Sequence, residues 1–218
     1  MKPFFLSLII SFLSPSFLFA GANSAGIAKV NSKVELTASK RMVALGDSLT
    51  EGYGVSRDQA YPALLEEKIK STGKHWIVVN AGVSGSTSAS GAARLKWLMK
   101  AHIDILLLAL GANDGLRGIK VSATEKNLAE TIELAQKNKI QVVLAGMLLP
   151  PNYGADYRHD FEKVFVKLAE KYKIRRIPFL LEKVGGEVQL NQTDGIHPNE
   201  KGHQIVADNV YQVIKDLL

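Results

Sequence analysis

The sequence contains no cysteine among its 218 residues. This absence excludes disulfide frameworks, metal sites built from thiolates and cysteine nucleophiles. Clustered charge is absent too, because no run of Lys and Arg is longer than two residues and both signs are scattered along the chain. The formal net charge of +6 favours anionic partners such as lipid headgroups but does not by itself indicate nucleic-acid binding.

After the N-terminal segment, no apolar run approaches the roughly 18 residues that a membrane span needs. At the N-terminus, Met1-Lys2 precedes an apolar stretch over residues 4–19 that contains Pro15, and Ala20-Gly21-Ala22 follows. This order is typical of a secretory signal peptide with a cleavage site of small residues. We therefore assign residues 1–22 to a signal peptide, with an uncleaved anchor as the alternative. We expect a periplasmic or secreted protein with no stable membrane insertion after cleavage.

The remaining chain divides into a linker and one domain. Residues 23–39 are small and polar without periodicity, which predicts a flexible linker. Residues 40–218 alternate short, fully apolar runs with amphipathic segments. The predicted strands lie at residues 42–45, 76–79, 103–110, 140–144 and 177–181. The predicted helices lie at residues 59–70, 87–100, 123–138, 157–172 and 198–217. The third opens with Ser122-Ala-Thr-Glu125, which has the spacing of a capping box. This alternation predicts an α/β fold, a three-layer α/β/α sandwich with a central five-stranded parallel sheet.

Four polar or glycine-containing blocks follow the apolar runs or precede the last helix. They are Gly46-Asp47-Ser48-Leu49-Thr50, residues 80–87, Gly111-Ala-Asn113-Asp114-Gly115 and Asp194-Gly-Ile-His197-Pro198. Ligands of open α/β sheets bind beyond the carboxyl ends of the strands. The blocks are therefore the candidate site.

Three side chains in these blocks could form a nucleophilic set. A serine hydroxyl needs a base to remove its proton, and a histidine base needs an acid to orient it. Ser48, His197 and Asp194 could supply these groups, since Asp194 and His197 are only three residues apart. The backbone N–H groups of Ser48 and Gly85 and the amide of Asn113 are candidate donors to an oxyanion.

Each block alone is more typical of a turn or a helix cap than of catalysis. Together and in order, they resemble the SGNH or GDSL hydrolase family, most closely its thioesterase I, lysophospholipase and arylesterase branch. The resemblance also covers Asp114-Gly-Leu-Arg-Gly118 and Pro150-Pro-Asn-Tyr-Gly154. The chain departs from the family pattern at Ala112, where relatives often have Gly, and at Leu148-Leu149, where they often have a basic or polar residue.

The resemblance implies a flavodoxin-like fold and a serine hydrolase with no metal and no organic cofactor. It implies Ser48 as the nucleophile, His197 as the base, Asp194 as its orienting acid, and Gly85 and Asn113 beside Ser48 in the oxyanion hole. The implied substrate is a small-molecule acyl or aryl ester or thioester, with lysophospholipid among the candidates, and no nucleic-acid partner. We expect a monomer.

Two other functions stay open from the sequence: a carbohydrate or peptidoglycan O-acetylesterase and a non-catalytic binding module. The ordinary α/β-hydrolase fold is disfavoured, because Thr50 stands where its Gly-x-Ser-x-Gly motif needs glycine. We interpret Asp47 and Asp114 as loop-stabilising acids. The histidines outside the four blocks are predicted to be surface or satisfied residues: His75, His102, His159 and His203.

The loops beyond the strands are rich in apolar side chains, which favours an acyl or aryl group over a sugar. The predicted substrate-binding residues are Leu49, Leu116, Met147, Leu148, Leu149 and Tyr153, and Tyr53 and Val83 belong to the same loops. The two tryptophans, Trp76 and Trp97, fall in a predicted strand and a predicted helix and so provide no platform for a sugar.

Overall fold

The structure, a computed structural model, describes residues 39–218. The predicted signal peptide and residues 23–38 of the predicted linker lie outside the described residues. Within residues 39–218, five parallel strands form one sheet in the order β2-β1-β3-β4-β5. The strands are β1 (Lys40–Gly46), β2 (Trp76–Gly82), β3 (Ile105–Ala109), β4 (Gln141–Ala145) and β5 (Arg175–Ile177).

Helices cover both faces of the sheet. Over residues 39–218 these are α1 (Ser48–Glu51), α2 (Tyr61–Ser71), α3 (Gly91–Leu98), α4 (Ala112–Leu116), α5 (Val121–Lys137), α6 (Ala155–Tyr172) and α7 (Glu200–Ile214). Helix α2 packs against α7, while α5 packs between α3 and α6. The predicted three-layer α/β/α sandwich is confirmed.

The central strands form the core because both of their faces are covered. Every side chain of β3 and the run Met42–Leu45 of β1 are buried. Continuous apolar strands of this kind are expected in a parallel sheet with helices on both sides. Strand β1 lies between β2 and β3, so the chain reverses its direction of winding there. The loops after β1 and β3 therefore open a crevice at the carboxyl edge of the sheet.

The fifth strand differs from its prediction. It ends at Ile177, where the predicted strand began. Pro178 has no N–H for the strand ladder, and the next residues turn, with the Leu180 N–H donating to the carbonyl of Gly146. The apolar run through Leu181 is therefore a turn that packs against the sheet edge.

The predicted capping box at the start of the third long helix was also wrong. A capping box would make Ser122 the N-cap of this helix. Helix α5 instead begins at Val121 with Lys120 as its N-cap, and no side chain caps it. Thr124 in this first turn instead donates its hydroxyl to Asp114, 3.3 Å away. The tertiary contact replaces the local cap.

Candidate active site

Ser48 is placed by a tight turn at the end of β1. Asp47 is the N-cap of α1, and its Oδ1 accepts a hydrogen bond from the N–H of Leu49 at 3.0 Å. A Cβ at Gly46 would overlap the side chain of Thr50, so the turn requires glycine at this position. Ser48 is therefore the first residue of α1, directly beyond the carboxyl end of a central strand.

The side chains of Ser48, His197 and Asp194 form a continuous hydrogen-bonded chain. The Oγ of Ser48 lies 2.8 Å from the Nε2 of His197, and the Nδ1 of His197 lies 2.7 Å from the Oδ2 of Asp194. A carboxylate only accepts hydrogen bonds, so Nδ1–H of a neutral imidazole donates to Asp194. Nε2 is then left to accept the proton of the Ser48 hydroxyl.

Backbone groups hold Asp194 in place. Its Oδ1 accepts hydrogen bonds from the N–H groups of Ile196 and His197, each at 3.0 Å. Burial acts to raise the pKa of Asp194, but hydrogen bonds from the imidazole and from these two N–H groups outweigh burial and lower it. Asp194 is therefore a stable anion that can orient the imidazole and offset a positive charge on it.

Gln192 joins the segments that follow Ser48 and surround His197, and nothing in the sequence pattern pointed to it. Its backbone N–H donates to the carbonyl of His197 at 2.8 Å, and its side-chain Nε2 donates to the carbonyls of Tyr53 at 2.6 Å and Pro198 at 3.0 Å. The ring of Tyr53 packs 4.8 Å from the imidazole. These contacts restrict the position of the imidazole relative to α1.

The three candidate oxyanion donors line one cavity with the Ser48 hydroxyl. Among residues 39–218, no acceptor bonds the backbone N–H of Ser48 or of Gly85. The side-chain amide of Asn113, in α4, donates to the carbonyl of Ser86 at 3.1 Å and more weakly to Asp47 Oδ2 at 3.4 Å. The longer of these two bonds is the one that a substrate oxygen could replace.

Asp47 is a buried acid directly beneath this arrangement, with 1% of its surface exposed. Burial raises the pKa of Asp47 to about 6, although the N–H of Leu49, the charge of His197 and the amide of Asn113 act to lower it. Arg94 lies nearby and donates to the carbonyls of Gly46, at 2.9 Å, and Ala81. Burial lowers the pKa of Arg94, and the charge of Asp47 acts in the opposite direction. Arg94 thus fixes the carboxyl ends of β1 and β2 beside the candidate nucleophile.

Asp114 connects the two loops that present Gly85 and Asn113. The buried carboxylate accepts hydrogen bonds from the N–H of Ser88 at 2.8 Å, from the Ser88 hydroxyl and from Thr124. These bonds agree with its interpretation as a loop-stabilising residue. Because Asp114 is adjacent to Asn113 in α4, these hydrogen bonds also fix the position of Asn113.

A cavity of about 510 Å³ opens at Ser48 and His197. Five of the six predicted substrate-binding residues line it: Leu49, Leu116, Met147, Leu148 and Leu149. Tyr153 does not line it, and its hydroxyl donates to the carbonyl of the lining residue Leu116 at 3.1 Å. Val83 does not line the cavity either, whereas Tyr53 does.

Much of the opposite wall was missed in the sequence. It comes from the turns after β5 and the loop before His197, namely Phe179, Leu181, Gly185, Gly186 and Ile196. Phe179 and Leu181 lie in the run that was predicted to be a strand, so no ligand contact was expected of them. Recognising that Pro178 ends the strand would have placed them at the carboxyl edge of the sheet.

His203 differs from the other histidines outside the four blocks, since only 1% of its surface is exposed. Its Nδ1 accepts from the N–H of Tyr61 at 3.3 Å, while its Nε2 has no partner within residues 39–218. Burial, and to a smaller extent His197, lower its pKa to about 4. It is therefore a neutral core residue that is only half satisfied.

Within residues 39–218, no group of three or more His, Cys, Asp or Glu side chains could hold a metal ion. No helix in the same range is long and apolar enough to cross a membrane.

Comparison with known proteins identifies the family. The sequence profile of the GDSL-like Lipase/Acylhydrolase family matches residues 44–205. The arylesterase of Vibrio mimicus is 36% identical over 176 residues, covering 80% of this chain and 88% of that protein. The thioesterase 1/protease 1/lysophospholipase L1 of Escherichia coli (strain K12) is 38% identical over 182 residues, covering 83% and 86%.

A solved structure agrees with these sequence relationships. The crystal structure of TesA matches with a TM-score of 0.80 and 37% identity, covering 82% of this chain and 100% of that chain. The predicted family is thus confirmed: the chain belongs to the GDSL-like lipase/acylhydrolase family and is an ester-hydrolysing enzyme.

Proposed function

We propose that this enzyme is an exported serine esterase that cleaves acyl or aryl esters and thioesters through an acyl-enzyme on Ser48. The observation that supports this most directly is the hydrogen-bonded chain from Ser48 through His197 to Asp194 at the mouth of a largely apolar cavity. The names of the arylesterase and of the thioesterase/lysophospholipase relatives favour the same substrate classes.

The first half-reaction forms the acyl-enzyme. As Ser48 Oγ attacks the carbonyl carbon, its proton passes to His197 Nε2, and the carboxylate of Asp194 offsets the resulting imidazolium charge. The carbonyl oxygen becomes an oxyanion, which accepts hydrogen bonds from the N–H groups of Ser48 and Gly85 and from the amide of Asn113. Such donors accelerate the reaction because they act most strongly on charge that develops in the transition state.

Collapse of the tetrahedral intermediate breaks the bond between the carbonyl carbon and the leaving oxygen or sulfur. His197 returns its proton to this leaving group, which departs as an alcohol or a thiol. Water then attacks the acyl-enzyme, gives a proton to His197 and releases the carboxylic acid after the proton returns to Ser48 Oγ.

The apolar walls favour acyl or aryl groups over acetylated sugars. Met147 and Leu149 are 2% and 5% exposed, while Leu148 at the rim is 40% exposed. A hydrocarbon chain that enters this cavity removes its own surface and that of Leu148 from water, which is favourable by about 25 cal/mol per Å². An acetyl group is too small to gain much from these walls.

Labelling with a fluorophosphonate tests the nucleophile. The reagent is expected to modify Ser48, as located by peptide mass spectrometry, and Ser48→Ala is expected to lose both labelling and turnover while remaining folded. Ser90→Ala is the matched control, because the Ser90 hydroxyl donates only to the Thr87 carbonyl in the described structure. Labelling of another serine in wild-type protein would refute the assignment.

Export and oligomeric state are tested separately. We infer from the sequence pattern that cleavage follows Ala22 and leaves Asn23 as the mature N-terminus in the periplasm or medium. N-terminal sequencing of the exported protein checks this, and an intact Met1 would favour the anchor. Light scattering is expected to give the mass of a monomer.

A further inference from the structure

Arg158 places a positive charge in the wall of the largely apolar cavity. Among the described cavity-lining residues, the other ionisable side chains are Asp47, His197 and the phenol of Tyr53, which carries no positive charge in either form. Asp47 is bonded by Leu49 and Asn113, and His197 is bonded at both ring nitrogens. Arg158 is therefore the lining residue whose charge is still available to a ligand.

The guanidinium of Arg158 is held at the wall by one of its own donors. Its Nε–H donates to the carbonyl of Leu149 at 2.9 Å, and Leu149 itself lines the cavity. This bond limits rotation of the planar group, so the two terminal nitrogens keep a defined direction. Arginine is suited to recognition in this state because its remaining N–H groups form a rigid fork.

The terminal nitrogens of Arg158 have no protein partner among residues 39–218. No carboxylate in this range forms an ion pair with them, and they are not among the buried nitrogens that lack hydrogen bonds. They are therefore accessible to a ligand or to water. Other arginines near the sheet edge differ, since Arg94 and Arg117 donate their terminal nitrogens to backbone carbonyls.

An unpaired cation in an apolar cavity attracts an anion more strongly than the same cation on an open surface, because the walls exclude water. The fork of an arginine matches two oxygens of a carboxylate or a phosphate. We propose that Arg158 forms a subsite for an anionic oxygen group, a carboxylate or a phosphate, carried by the ester substrate. The proposal rests on the proposed function, because the anion must belong to a molecule whose acyl group is transferred to Ser48.

Two substrate series identify which part of the substrate carries the anion. The first compares mono-p-nitrophenyl adipate, with a carboxylate at the end of its acyl chain, with its neutral methyl ester. The second compares a 1-acylglycerol 3-phosphate with the corresponding 1-acylglycerol, so that the charge lies on the leaving alcohol. In each series, the measured quantity is the ratio of kcat/KM for the anionic substrate to kcat/KM for the neutral one.

Arg158→Gln is expected to lower this ratio roughly 5- to 20-fold in one series. This loss is smaller than the loss expected for a fully buried charged hydrogen bond, because the site is partly open to water. The ratio for Arg158→Lys is expected to lie between those of wild type and Arg158→Gln, since lysine keeps the charge but lacks the two terminal nitrogens of the fork. The matched control is Arg57→Gln, which removes the same charge from an exposed residue that does not line the cavity. It is expected to change the ratio less than twofold.

A neutral fluorophosphonate separates this proposal from the proposed function. Equal labelling of Ser48 in wild type, Arg158→Gln and Arg57→Gln shows that the nucleophile works in all three. With labelling intact, a lower ratio in the adipate series assigns the anion to the acyl group, and a lower ratio in the phosphate series assigns it to the leaving group. An unchanged ratio in both series, or an equal loss in Arg57→Gln, would overturn the anion subsite. Failure of Ser48 labelling in wild type would overturn the proposed function instead.

Discussion

The side-chain amide of Asn113 lies 3.4 Å from the carboxylate of Asp47, which connects a candidate oxyanion donor to the residue that precedes the candidate nucleophile. Asn113 lies in α4, which follows β3, and Asp47 directly follows β1, and these two paired strands border the crevice. The ionisation of Asp47 can therefore affect both the stability of the fold and the orientation of Asn113.

The first prediction concerns the pH dependence of stability. The pKa of Asp47 is about 6 in the folded protein, against an ordinary value of 3.8. Because the folded state binds this proton more tightly than the unfolded state, protonation of Asp47 stabilises the folded protein as the pH falls through 6. This stabilisation is absent above that pH. The gain from pH 8 to pH 5 is expected to be roughly 1–2 kcal/mol.

Asp47→Asn isolates this effect from the other titrating groups. Asparagine keeps an oxygen for the Leu49 N–H but cannot ionise, so the variant should lack this increment in urea unfolding at pH 8 and pH 5. Its kcat should also fall, because its neutral side chain holds the Asn113 amide less strongly than a carboxylate does. Identical pH dependence of unfolding in wild type and variant would contradict the prediction.

The second prediction separates the roles of His197 and Asp194. His197→Ala removes the candidate base and is expected to abolish nearly all turnover. Asp194→Asn keeps an oxygen for the N–H groups of Ile196 and His197, so the loop should hold, but its amide cannot accept the Nδ1–H. A loss of roughly 10³–10⁴ in kcat with little change in thermal stability is therefore expected. Near wild-type kcat in Asp194→Asn would show that the carboxylate is not the orienting group.

The fold and the position of the site follow from sequence because both depend on local signals. Apolar runs bounded by polar blocks mark strands that are buried on both faces, and parallel strands bring the blocks at their carboxyl ends to one edge. Ser48, Gly85 and Asn113 follow three of the apolar runs, and His197 lies in the block before the last helix, so the sequence pattern alone places all four in the candidate site.

The walls of the cavity depend on contacts between distant segments, which local patterns do not record. Arg158 lies in the first turn of a predicted helix, and only the fold shows that its guanidinium reaches Leu149 and the cavity. Gln192 lies in a loop, and its link to Tyr53 spans 139 residues of chain. The failure at Phe179 has a different cause, since a short apolar run is compatible with either a strand or a buried turn.

The third prediction tests whether Asp114 acts through Asn113. Asn113→Ala is expected to lower kcat by roughly 10²–10³ with little change in KM, as for loss of one oxyanion donor. Asp114→Asn weakens the bonds to Ser88 and Thr124 and should lower kcat by a smaller factor in the wild-type background.

A double-mutant cycle distinguishes positioning from a purely structural role. If Asp114 positions Asn113, then Asp114→Asn should have little further effect on kcat once Asn113 is alanine. Its effect on the free energy of unfolding should be the same in both backgrounds. Fully additive losses of kcat would contradict the positioning role. Thr124→Val serves as the milder control, since it removes one bond to Asp114 and keeps its charge.

The last prediction concerns chain length, measured with p-nitrophenyl esters from acetate to decanoate. Each methylene that is buried in the cavity contributes at most about 0.8 kcal/mol, so kcat/KM should rise up to about fourfold per methylene before it levels off. Gly185→Ala should shorten the preferred chain, because a Cβ at Gly185 would lie 3.0 Å from the Phe179 ring and press this wall residue. Gly73→Ala is the control: Gly73 does not line the cavity and a Cβ there meets open space, but its φ of +79° strains alanine, so stability should fall without a shift in chain preference. A profile that falls steeply beyond acetate, with efficient release of acetate from glycans, would instead support an O-acetylesterase.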